Sequence, residues 1–142
     1  MHQIAPYRLW LGHIGDARDL RAVLSHEIAA VIDLALNEPP LILSRELTYC
    51  RFPLVDGAGN PPWLLRAAIQ MTAGLLRSDV PALVVCSMGM SRSPAIGAAA
   101  LSLFTTQPPE ECLAVALRSR PADVSPGLWR DVVAVLTNEK GV

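Results

Sequence analysis

Apolar positions along the chain fall into short continuous runs and longer stretches of helical spacing. Residues 7–11 alternate and stop at Gly12, which predicts a short strand. Residues 29–36 are almost continuously apolar and end before Asn37-Glu38-Pro39-Pro40, as a strand buried on both faces does. Residues 47–54 predict another strand, with Pro53 marking its end, and residues 82–85 a further buried one. Between them lie helical stretches. Asp16 is placed to cap a helix over 18–25 that carries Leu20, Val23 and Leu24 on one face. Asn60-Pro61 pairs a capping amide with a proline at the first helical position and starts a helix to about Arg77. Ser93-Pro94 repeats that pattern and opens an apolar helix to about Phe104, rich in small residues that permit close packing on a sheet. Pro108, with Glu110 and Glu111 at the positive end of the dipole, starts a helix that Arg118-Ser119-Arg120-Pro121 ends. Ser125-Pro126 opens a last helix to about Thr137, and residues 41–45 fit neither period. Strands alternating with helices predict an α/β fold: a central mixed, mostly parallel sheet of about four or five strands flanked by helices.

Composition narrows the function classes. The 142 residues fit one domain, read as 1–142. Hydrophobic residues make up 51% and charged ones 18%, as in a compact soluble domain. Net charge is −1 without a basic run, so neither nucleic acid nor an anionic membrane is an expected partner. No apolar run approaches the roughly 18 residues of a membrane-spanning helix, and the first residues lack a signal-peptide pattern. Three cysteines, Cys50, Cys86 and Cys112, are an odd number without metal-ligand spacing, which favours a reducing, cytoplasmic setting over a disulfide framework. Cys50 and Cys112 read as core residues. His2, His13 and His26 are scattered and take no chemistry, and no metal or other cofactor is expected. Asp33, inside an apolar run, reads as a buried carboxylate with a local hydrogen-bond partner.

The chemistry concentrates in Cys86-Ser87-Met88-Gly89-Met90-Ser91-Arg92-Ser93, which comes after a predicted strand and opens a predicted helix. That edge of an open α/β sheet commonly binds ligands. A phosphate dianion needs several inward-pointing donors, and a tight loop from Ser87 to Arg92 leading into a helix N-terminus supplies them from the backbone. Gly89 suits a turn with positive φ, and Arg92 offers a planar fork for two phosphate oxygens. A helix N-terminus with a neighbouring arginine favours the thiolate needed for attack. Ser91 and Ser93 are the two candidate hydroxyls for hydrogen bonding to the sulfur. Asp56, in a flexible Gly-rich loop after a strand, is the candidate general acid for the leaving oxygen and the later activator of water. Trp63 is a candidate cover for the site, and Arg51, Arg66 and Arg130 are candidate substrate contacts, although core packing and solvation explain them equally well.

The loop resembles the signature of the cysteine-dependent protein phosphatases, in the Cys-x-x-Gly-x-Ser-Arg-Ser form of the dual-specificity branch. The resemblance implies Cys86 as nucleophile, Arg92 as phosphate clamp and Ser93 as the hydroxyl assisting breakdown of a phospho-cysteine. It makes Phe52-Pro53-Leu54-Val55-Asp56 similar to the family's general-acid segment. Leu9-Trp10-Leu11-Gly12, and Arg120-Pro121 followed by Ser125-Pro126, resemble its opening strand and the segment before its last helix. The implied activity is hydrolysis of phosphate monoesters: phosphotyrosine, and in the wider reading phosphoserine and phosphothreonine, in proteins. A monomer acting on a phosphorylated protein or a small phosphate monoester is expected.

Two departures bear on this. Val85 stands where the family usually has the histidine that orders the loop, and an asparagine that often braces the loop is absent, with Ser125 or Gly127 nearby instead. The loop also lacks the lysines of inositol-lipid phosphatases, which argues against a polyanionic headgroup. Val85 motivates the alternative of a phosphate-binding or phosphoprotein-interaction module with weakened or lost catalysis. A rhodanese-like sulfur carrier also presents cysteine at a strand-to-helix loop, but Arg92 followed by Ser93 fits a phosphate clamp better.

Overall fold

The structure, a computed structural model, describes residues 1–118 and 122–139. Five strands form one sheet in the order β1-β2-β5-β3-β4, with β1 antiparallel to β2 and the other pairings parallel. They are β1 (His2–Gln3), β2 (Leu9–His13), β3 (Ala30–Ala35), β4 (Thr48–Leu54) and β5 (Ala82–Cys86). The helices are α1 (Ile14–Arg18), α2 (Leu20–Ser25), α3 (Pro62–Arg77), α4 (Arg92–Thr105), α5 (Pro109–Ala116) and α6 (Pro126–Glu139). The expected mixed, mostly parallel sheet flanked by helices is what the chain forms.

Period-two alternation sorts the central strands between two cores. Leu9, Leu11, Ile32, Leu34, Val84 and Cys86 face the larger core, where α3, α4, α5 and α6 contribute Ile69, Ile96, Cys112 and Leu128. Trp10, Val31, Leu83 and Val85 face the smaller one, with Ile14, Ala17 and Val23 of α1 and α2. Every residue of β3 and β5 is buried, because helices cover both faces of this part of the sheet. Helix α4 is buried continuously from Arg92 to Ser102. Its Gly97 lets it lie on β2: a Cβ there would come within 2.6 Å of a Leu11 methyl.

Several local expectations change. The helix expected over 18–25 is two helices: Asp19, not Asp16, caps α2 by accepting the Ala22 N–H at 3.2 Å, while the Asp16 carboxylate accepts the His13 N–H at 3.0 Å. Gly12 lies inside β2 rather than ending it. Pro53 lies inside β4, which it can do because β4 is an edge strand, and the register with β3 shifts by a bulge between Asp33 and Ala35. The two-residue strand β1 is too short to carry a hydrophobic signature that would predict it. Pro61, not Asn60, is the N-cap of α3. The Ser119-Arg120-Pro121 part of the predicted helix stop lies outside the described residues.

Asp33 is fully buried and satisfied locally, as expected: it accepts the Ala35 N–H at 2.9 Å and the Tyr49 hydroxyl at 2.5 Å. Burial, and then the hydrogen bond to Asp33, hold the Tyr49 phenol above its usual range. A raised phenol stabilises the fold at every pH below its unfolded value, and that contribution is lost only as alkaline pH rises through the folded one. Tyr49→Phe strips a buried carboxylate of its donor and is expected to cost about 2 kcal/mol, read as a lower denaturant midpoint at neutral pH. An unchanged midpoint would mean that the Ala35 N–H and Arg51, with its Nε 3.6 Å from Asp33, satisfy the carboxylate without the phenol.

Candidate active site

Parallel strands bring their carboxyl ends to one edge of the sheet, and the site is built from the residues at and just beyond those ends. Cys86 is the last residue of β5 and Arg92 the first of α4. Asn37 comes after β3, Asp56 after β4, and His13, preceded by Gly12, ends β2. The five-residue turn from Ser87 to Ser91 therefore hangs over the sheet edge with α4 directing the positive end of its dipole at it. Gly89 makes that turn possible. It has φ +73°, and a Cβ there would lie 2.9 Å from the Gly12 carbonyl carbon.

Cys86 is 2% exposed, and its sulfur accepts the Ser93 backbone N–H at 3.4 Å. Ser93 Oγ is 3.5 Å from the same sulfur and donates to the Gly12 carbonyl at 3.3 Å. The thiol thus donates to a hydroxyl whose own proton is placed on Gly12; a thiolate would offer that proton a second acceptor. Of the two hydroxyls considered from sequence, Ser93 is the one beside the sulfur. Ser91 points elsewhere: its hydroxyl donates to Asp56 Oδ1 at 2.5 Å and accepts the Ser125 N–H at 2.9 Å. The expectation that Ser93 caps the helix is corrected here. Helix α4 starts two residues earlier, after Ser91, and this leaves the Ser93 side chain free to face Cys86.

Arg92 is 6% exposed. Its Nη1 is held by three acceptors, the Leu54 carbonyl at 2.9 Å, Asn37 Oδ1 at 3.1 Å and the Leu34 carbonyl at 3.4 Å. Its Nε is buried with no hydrogen-bond partner. One end of the guanidinium is anchored to the sheet edge, and a buried donor on its other edge has nothing to bond. Buried donors are rarely left in that state unless a ligand or water completes them.

Asn37 escapes a reading of the sequence. Its Oδ1 accepts from both Ser87 Oγ, at 2.9 Å, and Arg92 Nη1, tying Ser87 of the loop to the arginine. Its signal is positional: a polar residue directly after a strand that pairs with β5 must lie beside the loop after β5. The segment before α6 braces the loop through its backbone. There the Asp123 N–H donates to the Met90 carbonyl at 2.9 Å and the Ser125 N–H reaches Ser91.

The loop carrying Asp56 is held rather than free. Asn60 accepts the Val55 N–H at 2.8 Å and returns a bond to the Val55 carbonyl at 2.9 Å, which is why it does not cap α3. The Gly59 N–H donates to Asp131 of α6 at 3.0 Å. Asp56, Cys86, Met88, Ser91, Arg92 and Asp123 line one recess of about 180 Å³, and Met90 lies on its wall. A second recess of about 320 Å³ shares Asp56, Met88 and Arg92 with it and extends over Asn37, Ser87 and Val55.

Other candidates lie elsewhere. Trp63 is 63% exposed and lines neither recess. Arg51 donates to the Ala35 and Glu38 carbonyls at 3.1 and 2.7 Å, holding the turn that carries Asn37. Cys112 is buried in the larger core and Cys50 packs against it. Val85 is fully buried in the smaller core, on the sheet face opposite Cys86. Among the described residues no cluster of His, Cys, Asp and Glu could hold a metal ion, and no helix is long and apolar enough to cross a membrane.

No protein-family profile and no curated protein matches the chain by sequence. Solved structures do match it. Human DUSP28 superposes with a TM-score of 0.86 at 20% identity, over 99% of both chains. The human tyrosine phosphatase-like serine/threonine/tyrosine-interacting protein gives 0.82 at 18% identity, over 97% of this chain and 96% of that one. DUSP15 gives 0.75 at 22% identity, over 99% and 95%. With near-complete coverage on both sides, the mixed five-stranded sheet and its six described helices have the fold of the dual-specificity phosphatases.

Proposed function

We propose that the chain hydrolyses phosphate monoesters through a phospho-cysteine on Cys86, acting on phosphotyrosine, and in the wider reading on phosphoserine and phosphothreonine, in proteins. The observation that carries this is Arg92, which lines the recess together with Cys86 and is anchored through Nη1 while its buried Nε has no partner. The backbone of residues 87–92 and that free edge cradle the phosphoryl oxygens. The Cys86 thiolate attacks phosphorus, the P–O bond to the leaving group breaks, and Asp56 gives that oxygen its proton. Asp56, now a carboxylate, takes a proton from water as the water attacks the phospho-cysteine. The S–P bond breaks, orthophosphate leaves, and the Ser93 hydroxyl turns from Gly12 to the departing sulfur. Every step uses side chains of this chain and needs no cofactor. The protein works as a monomer in a reducing cytoplasm, on phosphoproteins or small phosphate monoesters.

The Asp56 assignment is tested with aryl phosphates of graded leaving group. Asp56→Asn is expected to lower kcat by about 10²–10³-fold for a poor leaving group and far less for para-nitrophenyl phosphate. Equal losses across the series would remove Asp56 from the acid role and leave it as the acceptor for Ser91.

A second reading is favoured by Val85. No histidine directly precedes the cysteine to order the loop, and one structure of the same fold belongs to a tyrosine phosphatase-like interacting protein. On that reading the seat binds a phosphorylated protein and turns it over weakly or not at all. Phosphopeptide binding without release of phosphate at any pH from 5 to 8 would establish it.

A further inference from the structure

The second recess runs outward from the phosphate seat, and its walls differ from the seat in character. Leu36, Val55 and Met88 line it and are 48%, 50% and 72% exposed. Three large apolar side chains around one opening are a patch to be explained, whereas single exposed ones are not. Its charged lining residues are Arg92 and Asp56, and both are engaged: Arg92 Nη1 with the sheet edge, Asp56 with Ser91. Among the described residues no lysine lines it, and no further arginine. The exposed Asp123 lines the first recess and is absent from the lining of the second, and its N–H donates to the Met90 carbonyl.

Asn37 adds a polar handle. Arg92 has no acceptor atom, so the Asn37 atom facing its Nη1 is the amide oxygen. That oxygen also accepts from the Ser87 hydroxyl, and the Asn37 NH₂, at the edge of the recess, makes no hydrogen bond among the described residues.

We infer that this recess is a subsite for an uncharged apolar side chain flanking the phosphorylated residue of a peptide substrate, with the Asn37 NH₂ donating to a peptide carbonyl. Continuity and charge identify the occupant. The recess shares Asp56, Met88 and Arg92 with the seat, so whatever enters it is joined to the group whose phosphate sits there. Its walls offer apolar contact, while an acidic flank would meet the Asp56 carboxylate and, among the described lining residues, no cation besides Arg92, which serves the phosphate. A peptide supplies both an apolar side chain and the carbonyl that Asn37 can reach. The inference deepens the phosphatase reading and rests on the same phosphate seat.

The test measures binding rather than turnover, using the full chain with Cys86→Ser so that peptides are not consumed. Fluorescence anisotropy compares phosphotyrosine peptides that differ only in their flanking residues, carrying leucine, serine or aspartate on each side in turn. The leucine-flanked peptide is expected to bind about tenfold more tightly than the aspartate-flanked one, about what partial burial of a leucine side chain yields. Leu36→Lys with Val55→Lys, both at exposed positions, is expected to reverse the order. Affinities equal within twofold, or an unchanged preference in the double variant, would overturn the subsite. Failure of the phosphatase reading is distinguishable from both outcomes: it is the absence of para-nitrophenyl phosphate turnover by the unmodified protein, whatever the peptides do.

Discussion

Arg92→Lys is expected to lower kcat/KM for an aryl phosphate by about 10²–10³-fold while the protein remains folded. The asymmetry of the guanidinium is the reason. Its Nη1 is bound to the Leu54 and Leu34 carbonyls and to Asn37, and a lysine ammonium can serve some of those acceptors from the same direction. An ammonium is a compact point charge, however, and cannot also present a second N–H edge to the phosphate in a fixed plane. Loss should therefore appear in kcat and in the inhibition constant of vanadate, with little change in the thermal midpoint. Retention of activity within about threefold would show that the buried Nε faces no phosphoryl group, and the phosphate-clamp assignment would fall.

Cys86→Ser is expected to reduce turnover by on the order of 10⁴-fold or more, the scale seen when a covalent nucleophile is removed. A serine hydroxyl has nearly the shape of the thiol and can accept the same Ser93 N–H, so the loop should keep its form. It lacks the intrinsic nucleophilicity of sulfur, and its hydroxyl proton is far harder to remove than that of a thiol. Orthophosphate binding should persist in this variant. The separation of binding from chemistry is the informative part. A merely structural Cys86 would lose neither or both.

How much of the fold and the site is legible in the sequence depends on how local each signal is. The buried strands β3 and β5 announce themselves because both of their faces are covered, so no polar position interrupts the run except Asp33. The loop from Cys86 to Ser93 is legible for a similar reason: the proposed nucleophile, turn glycine, proposed clamp and hydroxyl lie within eight consecutive residues. Local capping logic fails where tertiary contacts compete. Asn60-Pro61 and Ser93-Pro94 both look like cap and first helical residue. In the fold Asn60 is drawn back to Val55, and Ser93 is drawn to the sulfur. Asn37 and the backbone of Asp123 and Ser125 escape notice because nothing in their own neighbourhoods marks them. They matter only because the strand order β5-β3-β4 and the packing of α6 bring them to the loop. Val85 is legible in the sequence as a departure. The structure adds that it lies in the opposite core, so the loop is ordered by Asn37 and by the Ser91–Asp56–Ser125 contacts.

The most direct measurement of the central claim is the covalent intermediate itself. The unmodified protein and a Ser93→Ala variant are mixed with para-nitrophenyl phosphate, quenched in acid within milliseconds to seconds, digested, and the peptide containing Cys86 is weighed by mass spectrometry. A phosphoryl group on Cys86 that builds up further in Ser93→Ala, where the departing thiolate has lost its hydroxyl, is the predicted result. Release of para-nitrophenol with no phosphorylated Cys86 peptide in either protein, or the phosphoryl group on another residue, would contradict it.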